Sequence, residues 1–333
     1  MSRRLGVPAI AALLLALAPP MHAGQETAAR PALQVLKVQA NVYMIAGAGG
    51  NIAVQIGPDG VVLVDAGSRE SAQDVIAAVK TLTPLPIRYI INTGPDADHL
   101  GGNEKVSEAG ENISARELAP SGVPSAGGGG AEAATIIGTE ELLGRMSAPV
   151  GEASPFPAAA WPTETFTTKH KDLFINREGI QVFSEPAAHS DSDAIVLFRR
   201  SDVIVTGDIF DITRFPVIDV ARGGSVQGVI DALNHVIDLT IPSVPLPWLD
   251  EGGTQVIPGH GRPCEEAEVV EYRDMVSIIR DRVQALIKKG QTLEQIVTAN
   301  PTQGFRARYG SDTGPWTTRM FVEAIYTSLT AAR

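Results

Sequence analysis

Two series of short β-type runs, each accompanied by helical stretches, constrain this chain more than any other feature of its sequence. In the first, Val42–Ala46, Ile52–Ile56 and Val61–Val64 are separated by Gly-rich turns. A helical pattern then covers Ser71–Leu82, and Ile87–Asn92 reads as a buried strand. In the second series, strands are predicted near Ile180–Phe183, Ala194–Phe198 and Val203–Val205, followed by a helix around Val226–Leu239 and a strand at Gln255–Ile257. A long amphipathic helix is predicted from Glu266 to Lys289, with shorter helical stretches near Leu293–Thr298 and Thr317–Leu329. Two strand-rich halves with interleaved helices imply an α/β protein in which two sheets pack face to face beneath outer helices.

The ends of the chain and its composition narrow the setting. Arg3 and Arg4 precede an apolar run from Val7 to Leu17, and Pro19, Pro20, Met21, His22 and Ala23 follow. This reads as a Sec-type signal peptide over residues 1–23, with a mature protein starting near Gly24 and working in the periplasm or outside the cell. No later stretch approaches the roughly 20 apolar residues of a membrane helix, so no stable membrane association is expected after cleavage. Without Arg3 and Arg4, Lys+Arg falls from 27 to 25 against 38 Asp+Glu, a net charge near −13. Such a surface repels nucleic acid and anionic membranes, which leaves a small molecule as the expected substrate. The single cysteine, Cys264, permits no intrachain disulfide, so stability must come from a core. About 310 mature residues, in a chain 44% hydrophobic, suffice for one large domain over 24–333. The Ser/Pro/Ala/Gly-rich stretch Asn112–Ala134 reads as a surface insertion rather than a lid, and Ala148–Pro162 reads as a further loop.

The chemistry concentrates where strands end. After Ile87–Asn92 the chain reads NTGPDADHLGGN, from Asn92 to Asn103, which places Asp96, Asp98 and His99 on a Gly-rich loop. In an extended stretch Asp96 and Asp98 face one way and His99 another, so one loop can serve two adjacent metal ions. The same carboxylates also fit the cap of a helix starting near Gly101. Three further segments set a potential ligand beside a strand: PAAHSDSD with His189, VIVTGD with Asp208, and VIPGHG with His260. A lone histidine usually packs and a Gly-Asp pair usually turns the chain. Four such segments in order are a different matter, because neutral imidazole and carboxylate together suit zinc, iron or manganese. The GxSxG and Walker phosphate-loop patterns are absent from the sequence.

The order, spacing and flanking residues of these segments resemble the metallo-β-lactamase superfamily, whose HxHxDH loop corresponds to Gly94–His99. LVDAG at Leu63–Gly67, the NT before the loop, the GGN after it, TGD at Thr206–Asp208 and PGHG at Pro258–Gly261 carry the resemblance, as do FPVID at Phe215–Asp219 and GGS at Gly223–Ser225. The resemblance implies an αββα sandwich of two mixed sheets flanked by helices, with the site at one edge. It implies a complete second metal position formed by Asp98, His99 and His260, with Asp208 as bridging carboxylate. The first position is altered: Gly94 and Asp96 stand where two histidines are usual, leaving Asp96 and His189 with Asp208 to hold an ion there. Zinc is the expected metal, one or two ions, with iron or manganese as alternatives. The implied activity is metal-dependent hydrolysis of an ester, lactone, thioester or amide, with Asp208 positioning the attacking water and Asp98 accepting its proton. A non-catalytic metal- or ligand-binding descendant is the alternative reading. A mononuclear iron oxygenase of the sulfur-oxidising kind is disfavoured, because it relies on the place held here by Gly94. Asp65 is expected to support the ligands by hydrogen bonds, and Asp191 or Asp193 to orient His189. His170, His235 and Cys264 read as ordinary packing or surface residues.

Overall fold

The structure, a computed structural model, describes residues 32–113, 132–147, 153–243 and 252–331. The expected signal segment and most of the 112–134 insertion lie outside these residues. Seven strands form the first sheet, side by side in chain order: β1 (Gln34–Gln39), β2 (Val42–Ala46), β3 (Ile52–Gly57), β4 (Gly60–Val64), β5 (Ile87–Ile91), β6 (Thr135–Thr139) and β7 (Glu164–Phe166). The β1–β4 portion is an antiparallel meander, whereas β4 to β7 run parallel. Parallel neighbours need crossovers. The segment from β4 to β5 contains α1 (Ala72–Leu82), that from β5 to β6 contains α2 (Ala97–Leu100) and α3 (Asn103–Glu108), and α4 (Glu140–Met146) follows β6.

The second sheet has the order β12-β11-β10-β9-β8, from β8 (His170–Ile175), β9 (Glu178–Glu185), β10 (Asp193–Phe198), β11 (Val203–Val205) and β12 (Gln255–Ile257). It is antiparallel except for β11 and β12, which are parallel and joined through α5 (Val226–Leu239). The chain then forms α6 (Glu266–Lys288), α7 (Leu293–Thr298), α8 (Arg306–Tyr309) and α9 (Thr318–Ala331).

Strand periodicity explains the layering. On β4, Val62 and Val64 join the core between the sheets, whereas Val61 and Leu63 pack with Val75, Ile76 and Val79 of α1. On β10, Ala194, Val196 and Phe198 enter the same inter-sheet core, whereas Ile195 and Leu197 pack with Val229 and Leu233 of α5 and Val276 of α6. Strands covered on both faces lose the polar alternation of a half-exposed strand and become continuous apolar runs. Burying each such side chain stabilises the fold by about 1.5–3 kcal/mol. The result is the αββα sandwich of two mixed sheets.

Several elements had no strong sequence signal. The first four residues of β1 are exposed, β8 alternates exposed with half-buried positions up to its buried end, and β7 is three residues long. All three lie at sheet edges, where a continuous apolar run is not required. His235, which no motif marks, fastens α5 to the second sheet: its Nδ1 lies 2.6 Å from Glu185 Oε1 and its ring meets Phe183 edge-on at 4.9 Å.

Two expectations follow from this architecture. The Asn112 N–H donates to Glu132 O at 2.8 Å, so the two ends of the insertion are already tied together. Replacing 114–131 with a few glycines and serines should leave the melting temperature nearly unchanged, because loop closure depends only weakly on length; a large drop in a thermal scan would show that the insertion packs on the core. The bond to Glu185, working against burial, holds the His235 pKa above its ordinary value. A raised folded-state pKa gives stability that is present at low pH and lost as pH rises through that pKa. The stability deficit of His235→Gln in urea unfolding should therefore be larger at pH 5.5 than at pH 9, and a deficit independent of pH would refute the ion pair.

Candidate metal centre

The site is built from strand ends of both sheets. Asp65 follows β4, and Asp96, Asp98 and His99 follow β5. His189 lies on the β9–β10 connection, Asp208 on a short 3-10 turn after β11 (Gly207–Ile209), and His260 after β12. Packing the sheets face to face brings these loops together although the residues span nearly two hundred positions. Two clusters result: Asp98, His99 and His260 form one, and Asp96, His189 and Asp208 the other. Every ligand named from the sequence is thus in one of two adjacent groups, with Asp208 between them.

The grouping differs from simple strand alternation. Asp96 and Asp98 were expected on one side with His99 on the other, but Ala97–Leu100 is a helical turn. Winding there brings Asp98 and His99 into the same cluster and sends Asp96 to His189. The capping alternative also fails in detail: Asp96 occupies the N-cap position, yet its side chain makes no capping hydrogen bond.

The residues fit a metal ion on three observations. His99 Nε2, His260 Nε2 and Asp208 Oδ1 are buried without a hydrogen-bond partner, an arrangement that costs free energy unless something else binds them. Their other ring atoms are already committed. His99 Nδ1 donates to Asp65 Oδ2 at 2.8 Å and His189 Nδ1 donates to Val217 O at 2.9 Å, since a carboxylate and a carbonyl only accept; this leaves the His99 Nε2 lone pair for a cation, whereas His189 Nε2 already lies 2.9 Å from Asp96 Oδ2. Finally, Asp208 Oδ1 lies 3.3 Å from His99 Nε2 and 3.4 Å from His260 Nε2, and Asp98 Oδ2 lies 3.3 Å from His260 Nε2. Ligand bonds of about 2.0–2.1 Å to a tetrahedral zinc correspond to ligand separations of about 3.3–3.4 Å.

Electrostatics point the same way. Burial works against a charged His99, but Asp208 and Asp65 hold its pKa well above the ordinary value. The buried His189 and the partly buried His260 lie among carboxylates and are raised to about 9. Asp208 is itself largely buried, and the surrounding histidines still hold its carboxyl well below the usual range. A buried carboxylate kept ionised in this way calls for positive charge beside it.

The supporting residues are partly those anticipated. Asp65, at φ +66°, accepts from the Thr93 N–H at 2.9 Å, from Thr93 Oγ1 at 2.6 Å and from His99. Its strained backbone is held by the same bonds that orient His99. Neither Asp191 nor Asp193 bonds the His189 ring, contrary to expectation. Asp191 pairs with Arg145, while Asp193 accepts from the Ser190 N–H and Oγ at 2.7 Å each. A backbone carbonyl, Val217 O, has taken the orienting role. Burial pushes the Asp193 carboxyl up to about 7.

Two further contributors were not evident from the sequence. Gly50 packs so closely under His99 that an added Cβ would lie 2.4 Å from the ring. Arg222 donates from Nη2 to Asp96 Oδ1 and from Nε to Asp219 Oδ2, both at 2.6 Å. The only sequence signal for Arg222 was its place immediately before the GGS segment. Cys264 is buried, and its thiol, pushed up to about 12 by burial, donates to Arg262 O. His170 is an exposed strand residue beside Asp172.

Similarity to known proteins follows the fold and the motifs. No curated protein sequence matches the chain. Among solved structures, the inverting sec-alkylsulfatase Pisa1 from Pseudomonas sp. superposes with a TM-score of 0.60 at 13% identity. That match covers 89% of this chain but 50% of the sulfatase, so this chain spans half the length of that protein. A metallo-beta-lactamase from Pontibacter korlensis superposes at 0.52 and 16% identity, covering 74% of this chain and 99% of the other. The DIM-1 metallo-beta-lactamase does so at 0.52 and 12%, covering 74% and 98%. These likenesses establish the fold. The family model described as the metallo-beta-lactamase superfamily matches residues 37–244, from β1 to beyond α5 and through three of the four ligand-bearing segments, and the chain belongs to that superfamily.

Proposed function

We propose that the protein is an exported metal-dependent hydrolase acting on an ester, lactone, thioester or amide-type small molecule, with its working metal held by Asp98, His99, His260 and Asp208. The observation that carries this reading is the convergence of unpartnered, buried His99 Nε2, His260 Nε2 and Asp208 Oδ1, with Asp98 beside them. A divalent ion, with zinc the natural choice for this ligand set, supplies Lewis acidity that brings the pKa of a water near neutrality.

The chain's own groups divide the remaining work. Asp65 fixes the His99 tautomer, so Nε2 faces the centre. Asp208, held ionised, fixes the orientation of the attacking water. Asp98 has a side chain 42% exposed beside the more buried His260, so one carboxylate oxygen can hold the cluster while the other faces the open side. That places it to accept the proton the water loses and to return it to the leaving group. No serine or cysteine nucleophile is required, and the deep burial of Cys264 is in keeping with this.

Asp98→Ala and His260→Ala should each lose the tightly held metal and all hydrolysis, whereas Asp96→Ala should keep that equivalent. Elemental analysis after identical dialysis, with assays on carboxylic esters, lactones, thioesters, amides and sulfate esters, tests this; sulfate esters join because one structural neighbour is an alkylsulfatase. Loss of all metal in Asp96→Ala, with a full equivalent retained in Asp98→Ala, would reverse the assignment. Metal without turnover on any substrate would favour a binding protein. Export rests on the leader sequence, and N-terminal sequencing of the protein from its producing cells should begin near Gly24, an intact Met1 being the contrary result.

A further inference from the structure

We propose that Arg222 stands in for the cation of the Asp96–His189 cluster, so that this chain holds one divalent metal where its side chains outline two places. The inference rests on the hydrolase reading above only in taking the Asp98–His99–His260 cluster as the metal-bearing one. Four observations lead to it.

Arg222 is anchored before it reaches the site: Asp219 accepts from its Nε, and the neighbouring Nη2 donates to Asp96 Oδ1, both at 2.6 Å. A guanidinium fixed in this way places a permanent positive charge where a metal would otherwise neutralise Asp96. The rest of the cluster has closed on itself. Asp96 Oδ2 lies 2.9 Å from His189 Nε2, shorter than the separation of about 3.3–3.4 Å that two ligands of a tetrahedral ion require and that the other cluster displays. Asp208, the third member, turns Oδ1 toward His99 and His260. Asp208 is therefore shared with the other cluster, and Asp96 and His189 are the only ligands this cluster has to itself, fewer than the three protein ligands typical of a catalytic site.

Gly94 supplies the fourth observation. Its φ is not positive, and an added Cβ would meet nothing closer than Asp193 Oδ1 at 3.5 Å, ordinary contact. Packing therefore admits a Cβ at Gly94, and neither backbone conformation nor close contact at that atom requires glycine. With no ligand at 94 and a cation already beside Asp96, a second divalent ion would meet fixed positive charge and too few donors. Arg222 is thus a positioning residue that sets metal stoichiometry.

The experiment counts Zn²⁺ by elemental analysis after incubation in excess Zn²⁺ and gel filtration, with a thermal scan to check that each protein is folded. The wild type is expected to bind one equivalent and Arg222→Lys also one, since a cation remains. Gly94→His combined with Arg222→Gln, which adds an imidazole at a position that admits a Cβ and removes the charge, is expected to bind two. Adding His260→Ala to that pair should bring the count back to one, held at the Asp96–His189 cluster. Two equivalents in the wild type would overturn the proposal without needing any variant, as would a folded Gly94→His/Arg222→Gln protein that stays at one. A wild type with no metal would sink the hydrolase reading itself, and this inference with it, so the two failures are told apart by whether the wild-type count is zero or two.

Discussion

Asp208 is a largely buried carboxylate, and the architecture of the site follows from the need to keep it ionised there. Burial alone would drive its proton back on. His99 and His260 approach Oδ1 at 3.3 and 3.4 Å and hold the group charged. His99 in turn needs Asp65, whose carboxylate is fixed by two bonds from Thr93. The chain of dependence runs from a strand end in one sheet to a strand end in the other, so the site exists only while the sheets are packed.

That packing is correspondingly strong. Val62 and Val64 of β4 and Val196 and Phe198 of β10 are fully buried in the core between the sheets, while alternate residues of the same strands bind the outer helices. Close packing keeps the loops in register to within the few tenths of an ångström that ligand geometry demands. Gly50 shows how tight the fit becomes at the candidate ligands, since even a methyl group there would collide with the His99 ring.

The two ligand clusters are unequal for local reasons. One has four donors at separations suited to a tetrahedral ion. The other has a carboxylate already bound by Arg222 and an imidazole drawn in against that carboxylate. A carboxylate can be satisfied by a guanidinium as readily as by a metal, and the choice between them alters the total charge and the number of open coordination places rather than the fold.

How much of this was legible beforehand depends on the range of the interactions. Continuous apolar runs such as Ala194–Phe198 and the helical period of Val226–Leu239 are local consequences of burial, so the sequence sufficed for the central strands, the main helices and the αββα class. Edge elements such as β1 and β8 are held by pairing with a neighbour, and their own residues carry little periodic signal. Asp98, His99, Asp208 and His260 were named from the sequence because glycine-bounded strand ends advertise exposed functional groups. Strand alternation alone would have parted Asp98 from His99, whereas the family resemblance grouped them, and the helical turn Ala97–Leu100 is the physical reason they meet. The Val217 carbonyl holding His189 and the Arg222 guanidinium on Asp96 were decided by tertiary structure alone. Both act across long loops, and a hydrogen bond between residues 126 positions apart leaves no pattern in the local sequence of either.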